Sequence, residues 1–322
     1  MILVTGAAGF VGAHVARALC DAGHEVLGID NLNDSYSPVL KRWRVEVFLR
    51  SSPGFTFHHS DITDLQALRQ AVGARKIEAV MNFAARAGVA PSVRDPWAYY
   101  DSNVAGTLNL LELCREADVP KFVLASTSSA YGNAERPFSE SAPANQPLSP
   151  YAASKKSAEL LCYTYHHLHG VDISVLRLFT VYGPAGRPDM SVYRFIHWIS
   201  HRKPVLLRGD GLQERDFTFV GDVTRGAIAA LMPLGHEVVN LGSDRPVSLL
   251  RVISLLEDRI GARAAIEHGA ADPFDVRATW ADIGKARKLL SWEPLTSLEE
   301  GLTRTAEWHL ANRELTDRIP LP

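Results

Sequence analysis

The chain has 322 residues, of which 46% are hydrophobic and 22% charged, with a formal net charge of −2. That length buries a sizeable core in one large or two modest domains, and the near-neutral charge leaves no basic footprint for nucleic acid or an acidic membrane. No apolar run approaches the roughly 18 residues that span a bilayer, and MILVTGAAGF carries no basic region ahead of an apolar stretch, so neither a membrane anchor nor a secretory signal is expected.

The three cysteines, Cys20, Cys114 and Cys162, are far apart and odd in number. They read as buried reduced thiols rather than a disulfide framework or zinc site, which points to a cytoplasmic setting.

Ile2-Leu3-Val4 reads as a buried strand and residues 11–22 as a helix ended by Gly23. Between them TGAAGFVG sets Gly6, Gly9 and Gly12 at G-x-x-G-x-x-G spacing. Backbone amides at a helix N-terminus attract a pyrophosphate, and glycine lets the backbone approach it; the plainer alternative is a tight packed turn. A second strand over 25–30 ends in Asp30. A carboxylate there accepts hydrogen bonds from the ribose hydroxyls of a dinucleotide and repels a 2′-phosphate, which favours NAD over NADP; capping the Asp30-Asn31 turn is the alternative. A third strand covers 55–57, followed by the helix-start signature Asp61-Ile62-Thr63-Asp64. Asp61 and Ile62 are expected along the adenine. A fourth strand over 79–83 leads into Phe83-Ala84-Ala85, small residues where backbone meets cofactor.

A helix is expected over 97–117 and a fifth strand over 121–126. STSSAYG follows, with four adjacent hydroxyl side chains from Ser126 to Ser129. Pro150 opens a helix over 150–169 that carries Tyr151 and Lys155 four apart, hence on one face. A tyrosine with a pKa of about 10 is a poor base at neutral pH; a nearby ammonium favours its phenolate. Alone, such a pair is more simply an ordinary amphipathic helix, but Thr127 ends a strand at the same sheet edge. A sixth strand over 173–178 completes a parallel, doubly wound, Rossmann-type α/β sheet with helices on both faces. His166, His167 and His169 do not all share a helical face, and His58-His59 lacks a partner at suitable spacing, so no metal site is expected.

After Thr180 the Pro- and Gly-rich VYGPAGRPDM reads as a loop. Shorter elements follow: a helix over 193–200, strands over 205–207 and 217–220, and helices over 223–231, 249–260 and 298–310. The expected division is residues 1–178 as the cofactor domain and 179–322 as mainly a smaller α/β substrate domain, with some later segments returning to the first.

TGAAGFVG, Asp30, Thr127 and Tyr151-x-x-x-Lys155 resemble the extended short-chain dehydrogenase/reductases that act on nucleotide sugars. LRLFTVYGP at 176–184, RDFTFVGDV at 215–223 and TWADIGKA at 279–286 extend the likeness over nearly the whole chain. Within that family the chain is most similar to the UDP-glucuronate 4-epimerases, through DNLNDSY at 30–36, AARAGV at 84–89, ASTSSAYG at 125–132 and FTVYGPAGRPDM at 179–190. The resemblance implies bound NAD and C4 oxidation and re-reduction of UDP-glucuronate, with Tyr151, Lys155 and Thr127 catalytic. It implies cofactor contacts from Gly6, Gly9, Phe10, Val11, Gly12, Asp30, Asn31, Asp61, Ile62, Phe83, Ala84, Ala85 and Asn103, and from Tyr151 and Lys155 as well. Substrate contacts are implied for Thr127, Ser128, Ser129, Thr180, Arg187, Val205, Leu207, Arg215, Asp275 and Arg277, and a homodimer is the implied assembly.

Members that dehydrate carry Asp and Glu at the positions of Ser128 and Ser129, and those that decarboxylate carry Glu at the position of Ser129. The missing carboxylates therefore favour epimerisation, with UDP-glucose 4-epimerase and UDP-glucuronate decarboxylase as rivals. A non-catalytic dinucleotide sensor is the rival from outside that class. Two departures stand out. Ala90 occupies a place where related glucuronate epimerases often have Arg, while an Arg occurs earlier at Arg86. Asp272 lies near the diphosphate-binding Arg of UDP-glucose epimerases, with Arg277 as a substitute.

Overall fold

The computed structural model describes residues 1–271 and 276–321. Strands β1 (Ile2–Thr5), β2 (Val26–Asp30), β3 (Phe55–His59), β4 (Ala79–Asn82), β5 (Lys121–Thr127) and β6 (Asp172–Leu178) are joined by helical crossovers. With a further strand at His236–Leu241 they form one parallel seven-stranded sheet. Its order is His236–Leu241, β6, β5, β4, β1, β2, β3. The order reverses between β1 and β4, which opens a crevice at the carboxyl ends of the strands.

The central strands β1, β4 and β5 are chiefly apolar between their ends because helices cover both faces. Successive side chains then go to opposite sides. Ile2, Val4, Met81, Val123 and Leu176 pack on one face, and Leu3, Val80, Phe122, Leu124 and Val175 on the other. Full burial of each such side chain contributes roughly 1.5–3 kcal/mol.

The later chain holds strands β7 (Thr180–Tyr182), β8 (Val205–Arg208), β9 (Glu214–Phe219), β10 (the His236–Leu241 strand already placed), β11 (Pro246–Ser248) and β12 (Ile266–Gly269). β7 pairs with β9 in parallel and β11 with β9 antiparallel, while β8 and β12 form a separate parallel pair. A third core gathers Phe195, Ile196, Val205, Phe217, Phe219, Leu256 and Leu302, and it also includes Phe10 from the start of the first helix.

Several local features differ from the sequence reading, among them short elements at Val89–Arg94, Pro246–Ser248, Ile266–Gly269 and Gly284–Leu290 that it does not assign. Thr180–Tyr182, expected to pass into a loop, is a short strand, since pairing with Phe217–Phe219 satisfies its backbone before Gly183 turns the chain. His236–Leu241 has only a short apolar run between Gly235 and Gly242, yet it completes the sheet edge beside β6. Residues 38–48, left without an element, form a helix (Pro38–Trp43) that continues as a π-helical turn (Arg44–Phe48). The helix expected over 97–117 runs as Pro96–Tyr100, a π turn at Asp101–Ala105, and Gly106–Glu116.

Candidate active site

The turn after β1 is drawn tight. Gly6 adopts φ +68°, and a Cβ there would lie 2.6 Å from the Ala84 nitrogen; one on Gly12 would lie 2.2 Å from the Gly6 carbonyl oxygen. Only glycine fits. Gly9 caps the Phe10–Asp21 helix without any side-chain hydrogen bond, so the first amides of that helix face the crevice free to meet an anion.

Asp30 at the end of β2 is nearly buried. It accepts from the Ala8 amide at 3.1 Å and the Leu32 amide at 2.8 Å. One carboxylate thus braces the glycine turn and its own loop. Asn31 donates to Asp61 at 2.6 Å. Burial alone would raise the Asp61 carboxyl, but hydrogen bonds from Thr63 and Asn31 hold it below its ordinary value.

Across the crevice, Ser149 caps the Pro150–His169 helix by accepting from the Ala152 amide at 3.2 Å, with Pro150 at the first helical position. This start aims Tyr151 and Lys155 into the cleft. Thr127 ends β5 and accepts from the Ser129 amide at 3.1 Å, which initiates the Ser128–Tyr131 3₁₀ turn. Burial raises the Tyr151 phenol, while Thr127 and the Arg187 charge pull it back. The Lys155 ammonium is lowered to about 8, chiefly by burial. It is 2% exposed and has no hydrogen-bond partner among the described residues, so a buried cation is left for a ligand to satisfy.

Both sides meet in a cleft of about 500 Å³. It is lined by Gly6, Gly9, Phe10, Val11, Gly12, Asp30, Asn31, Asp61, Ile62, Phe83, Ala84 and Ala85 on the dinucleotide side. Thr127, Ser128, Ser129, Tyr151, Lys155, Thr180, Arg187 and Arg215 line the rest. The glycine cradle, the uncapped helix and the buried Lys155 ammonium fit a dinucleotide diphosphate and ribose.

Several expected residues lie elsewhere. Asn103 sits in the second π turn, and its amide accepts from the Arg86 amide and donates to the Arg86 carbonyl and Ser154. Its polar atoms are already used behind the cleft wall. Val205 and Leu207 point inward from β8 into the third core, because alternate residues of that strand are buried. Arg277 pairs with the exposed Asp210 at 3.0 Å, away from the cleft lining. Asp275, and with it Asp272, lies outside the described residues.

Other cleft residues escaped the sequence reading. Asp189 takes two hydrogen bonds from Arg187, at 3.0 and 2.6 Å. Burial disfavours the Arg187 charge, but Asp189 keeps the guanidinium firmly protonated. Lys41 donates to the carbonyl and side chain of Asn33 at 2.8 and 2.7 Å and lies 4.7 Å from the Tyr36 ring centre; burial lowers it to about 8. DNLNDSY marked this loop, but the lysine falls in the stretch assigned no element.

A phenol, an ammonium and a hydroxyl brought together beside a dinucleotide cradle can remove a proton from a substrate hydroxyl while a nicotinamide takes the adjacent hydride. The chain is similar to known proteins over nearly its whole length. A UDP-glucuronate 4-epimerase of Thermodesulfobacterium geofontis is 54% identical over 98% of each chain. The crystal structure of UDP-glucuronic acid 4-epimerase from Bacillus cereus, in complex with UDP-glucuronic acid and NAD, is 39% identical with a TM-score of 0.89, covering 96% of this chain and 99% of that one. That of UDP-glucose 4-epimerase from Thermotoga maritima, with UDP-glucose, is 32% identical with a TM-score of 0.89, covering 97% and 99%. Residues 2–242 match a single family along the whole doubly wound sheet, and the chain belongs to the NAD dependent epimerase/dehydratase family.

Proposed function

We propose that this chain inverts C4 of UDP-glucuronate to give UDP-galacturonate, with NAD retained through each turnover. The observation that carries the reading is the convergence of Tyr151, Lys155 and Thr127 at a cleft whose neighbouring positions are Ser128 and Ser129, not carboxylates. NAD supplies the acceptor for the C4 hydride and then its donor. Tyr151 as phenolate takes the O4 proton and returns it; Thr127 hydrogen-bonds O4; the Lys155 charge favours the phenolate. Without an acid–base pair at 128 and 129, elimination across C5 and C6 has no catalyst.

A 4-keto glucuronate is a β-keto acid, and it loses CO2 readily when its carboxylate is oriented and desolvated for that step. Ser128, Ser129, Thr180 and Arg187 surround it with donors, which keeps the carboxylate charged and held while the ring turns. Arg215, which lines the cleft, meets the substrate diphosphate in this reading, and residues 179–322 supply most of the sugar-nucleotide side. The exposed apolar side chains Trp97, Tyr100, Leu160, Tyr163 and Leu168 lie on the 96–116 and 150–169 helices. They fit a second copy of the chain, giving a homodimer in the cytoplasm.

Incubation with UDP-glucuronate, followed by NMR of the sugar, tests the reading. UDP-galacturonate is expected. A UDP-pentose product, or turnover of UDP-glucose alone, overturns it.

A further inference from the structure

Arg44 lies outside the cleft lining. Its side chain is fully buried. A guanidinium withdrawn from water is costly unless its donors are met, yet among the described residues its hydrogen-bond partners are all neutral oxygens. Nη1 donates to the Ala8 carbonyl at 2.8 Å and the Tyr36 hydroxyl at 2.7 Å. Nε and Nη2 donate to the Ala185 carbonyl at 3.1 and 2.7 Å, and Nη2 reaches the Gly186 carbonyl at 3.4 Å.

These acceptors belong to two different parts of the site. Ala8 lies inside the glycine turn, between Gly6 and Gly9. Ala185 and Gly186 immediately precede Arg187. Ala185 also holds φ +52°, a left-handed conformation that disfavours a residue with a Cβ and persists only when its surroundings fix it. Arg44 donates twice to the carbonyl of that residue. A second tie runs the same way: His14 of the first helix donates from Nε2 to the Pro184 carbonyl at 3.0 Å. Tyr36, gripped by Arg44 through its hydroxyl, lies with its ring 5.7 Å from the Arg187 guanidinium. Arg44 opens a π-helical turn, an irregularity that recurs at functional sites.

We propose that Arg44 is a positioning residue that couples the two halves of the cleft. It locks the dinucleotide turn and the 184–187 loop into one arrangement, so filling the dinucleotide cradle presets Arg187 for an anionic sugar. By reciprocity, a bound uronate tightens the hold on the dinucleotide. This rests on the uronate reading of the site.

The test is a binding measurement in a Tyr151→Phe background, where UDP-glucuronate binds without turning over. Calorimetry gives its affinity for protein stripped of bound NAD and again after reloading with saturating NAD, and the ratio is the coupling factor. Arg44→Met keeps the stem and removes every donor; we expect the factor to fall about fivefold or more, toward unity, with partial recovery in Arg44→Lys. Tyr36→Phe removes one acceptor of the guanidinium and leaves its ties to the Ala8, Ala185 and Gly186 carbonyls; it is the fallback should Arg44→Met not fold, with a smaller fall expected. An unchanged coupling factor in Arg44→Met, or in Tyr36→Phe where the methionine variant fails to fold, overturns the inference while leaving the epimerase reading intact. Absence of UDP-glucuronate binding in the Tyr151→Phe parent overturns both.

Discussion

Arg187 and Asp189 face each other on the cleft wall through two parallel hydrogen bonds, one from Nε and one from Nη2. The fork fixes the guanidinium plane, so Arg187 needs no reorientation in its proposed role toward an anionic sugar.

Arg187→Ala is therefore expected to raise KM for UDP-glucuronate by about tenfold to a hundredfold, the worth of a charge-assisted hydrogen bond of about 1.5–3 kcal/mol. Any use of UDP-glucose should change much less. Steady-state kinetics on both sugars checks this, and equal losses would reduce Arg187 to a brace for its own loop.

Tyr151→Phe removes the acid–base oxygen while keeping the ring, which stacks edge-on against Tyr99 at 6.0 Å. Turnover should fall by at least about 10²–10⁴-fold, with NAD still bound, as read from the absorbance of the purified protein. Normal turnover would remove Tyr151 from the base role.

Lys155 gives a dependence on pH. Burial lowers its ammonium from 10.5 to about 8, so the folded protein without ligand gives up this proton before the unfolded chain does. Between about 8 and 10.5 the unfolded state binds more protons, and stability rises with pH there. Below about 8 the full cost of the buried charge is present. Lys155→Met should then stabilise the ligand-free protein at pH 7 by roughly 1–3 kcal/mol, a gain that shrinks above pH 8, while turnover is lost. Urea unfolding across that range measures it; a destabilised variant at pH 7 would contradict the argument.

Ser128→Ala combined with Ser129→Ala should leave C4 oxidation in place and loosen the grip on the uronate. We expect a larger share of decarboxylated, UDP-pentose product, detected by mass spectrometry of the sugar nucleotides. An unchanged product ratio would confine these hydroxyls to local backbone bonding, as Thr127 already does at the Ser129 amide.

Much of the chemistry was legible because it is local. Gly6, Gly9 and Gly12 announce a turn by spacing, and Tyr151 and Lys155 share a face by helical period. Asp189, Lys41 and Arg44 were not legible, since their meaning depends on contacts made across the fold. Arg44 meets Ala185, 141 positions away. Asn103 shows the converse: the likeness to relatives suggested a cofactor contact, but a π turn directs its amide to Arg86 and Ser154. Strand alternation likewise sends the Val205 and Leu207 side chains into the third core and not into the cleft lining. His236–Leu241 went unassigned because a half-exposed edge strand has a weak apolar pattern.

Phe10 follows directly on Gly9, at the mouth of the dinucleotide cradle, yet its ring is buried with Tyr182, Phe195 and Phe217 of the later chain. Excising residues 1–178 would expose that ring and also strip β10 from the edge of the sheet. The first half is thus not a separable module, and denaturant should melt the whole molecule in a single cooperative step, with no dinucleotide-binding fragment surviving its partner.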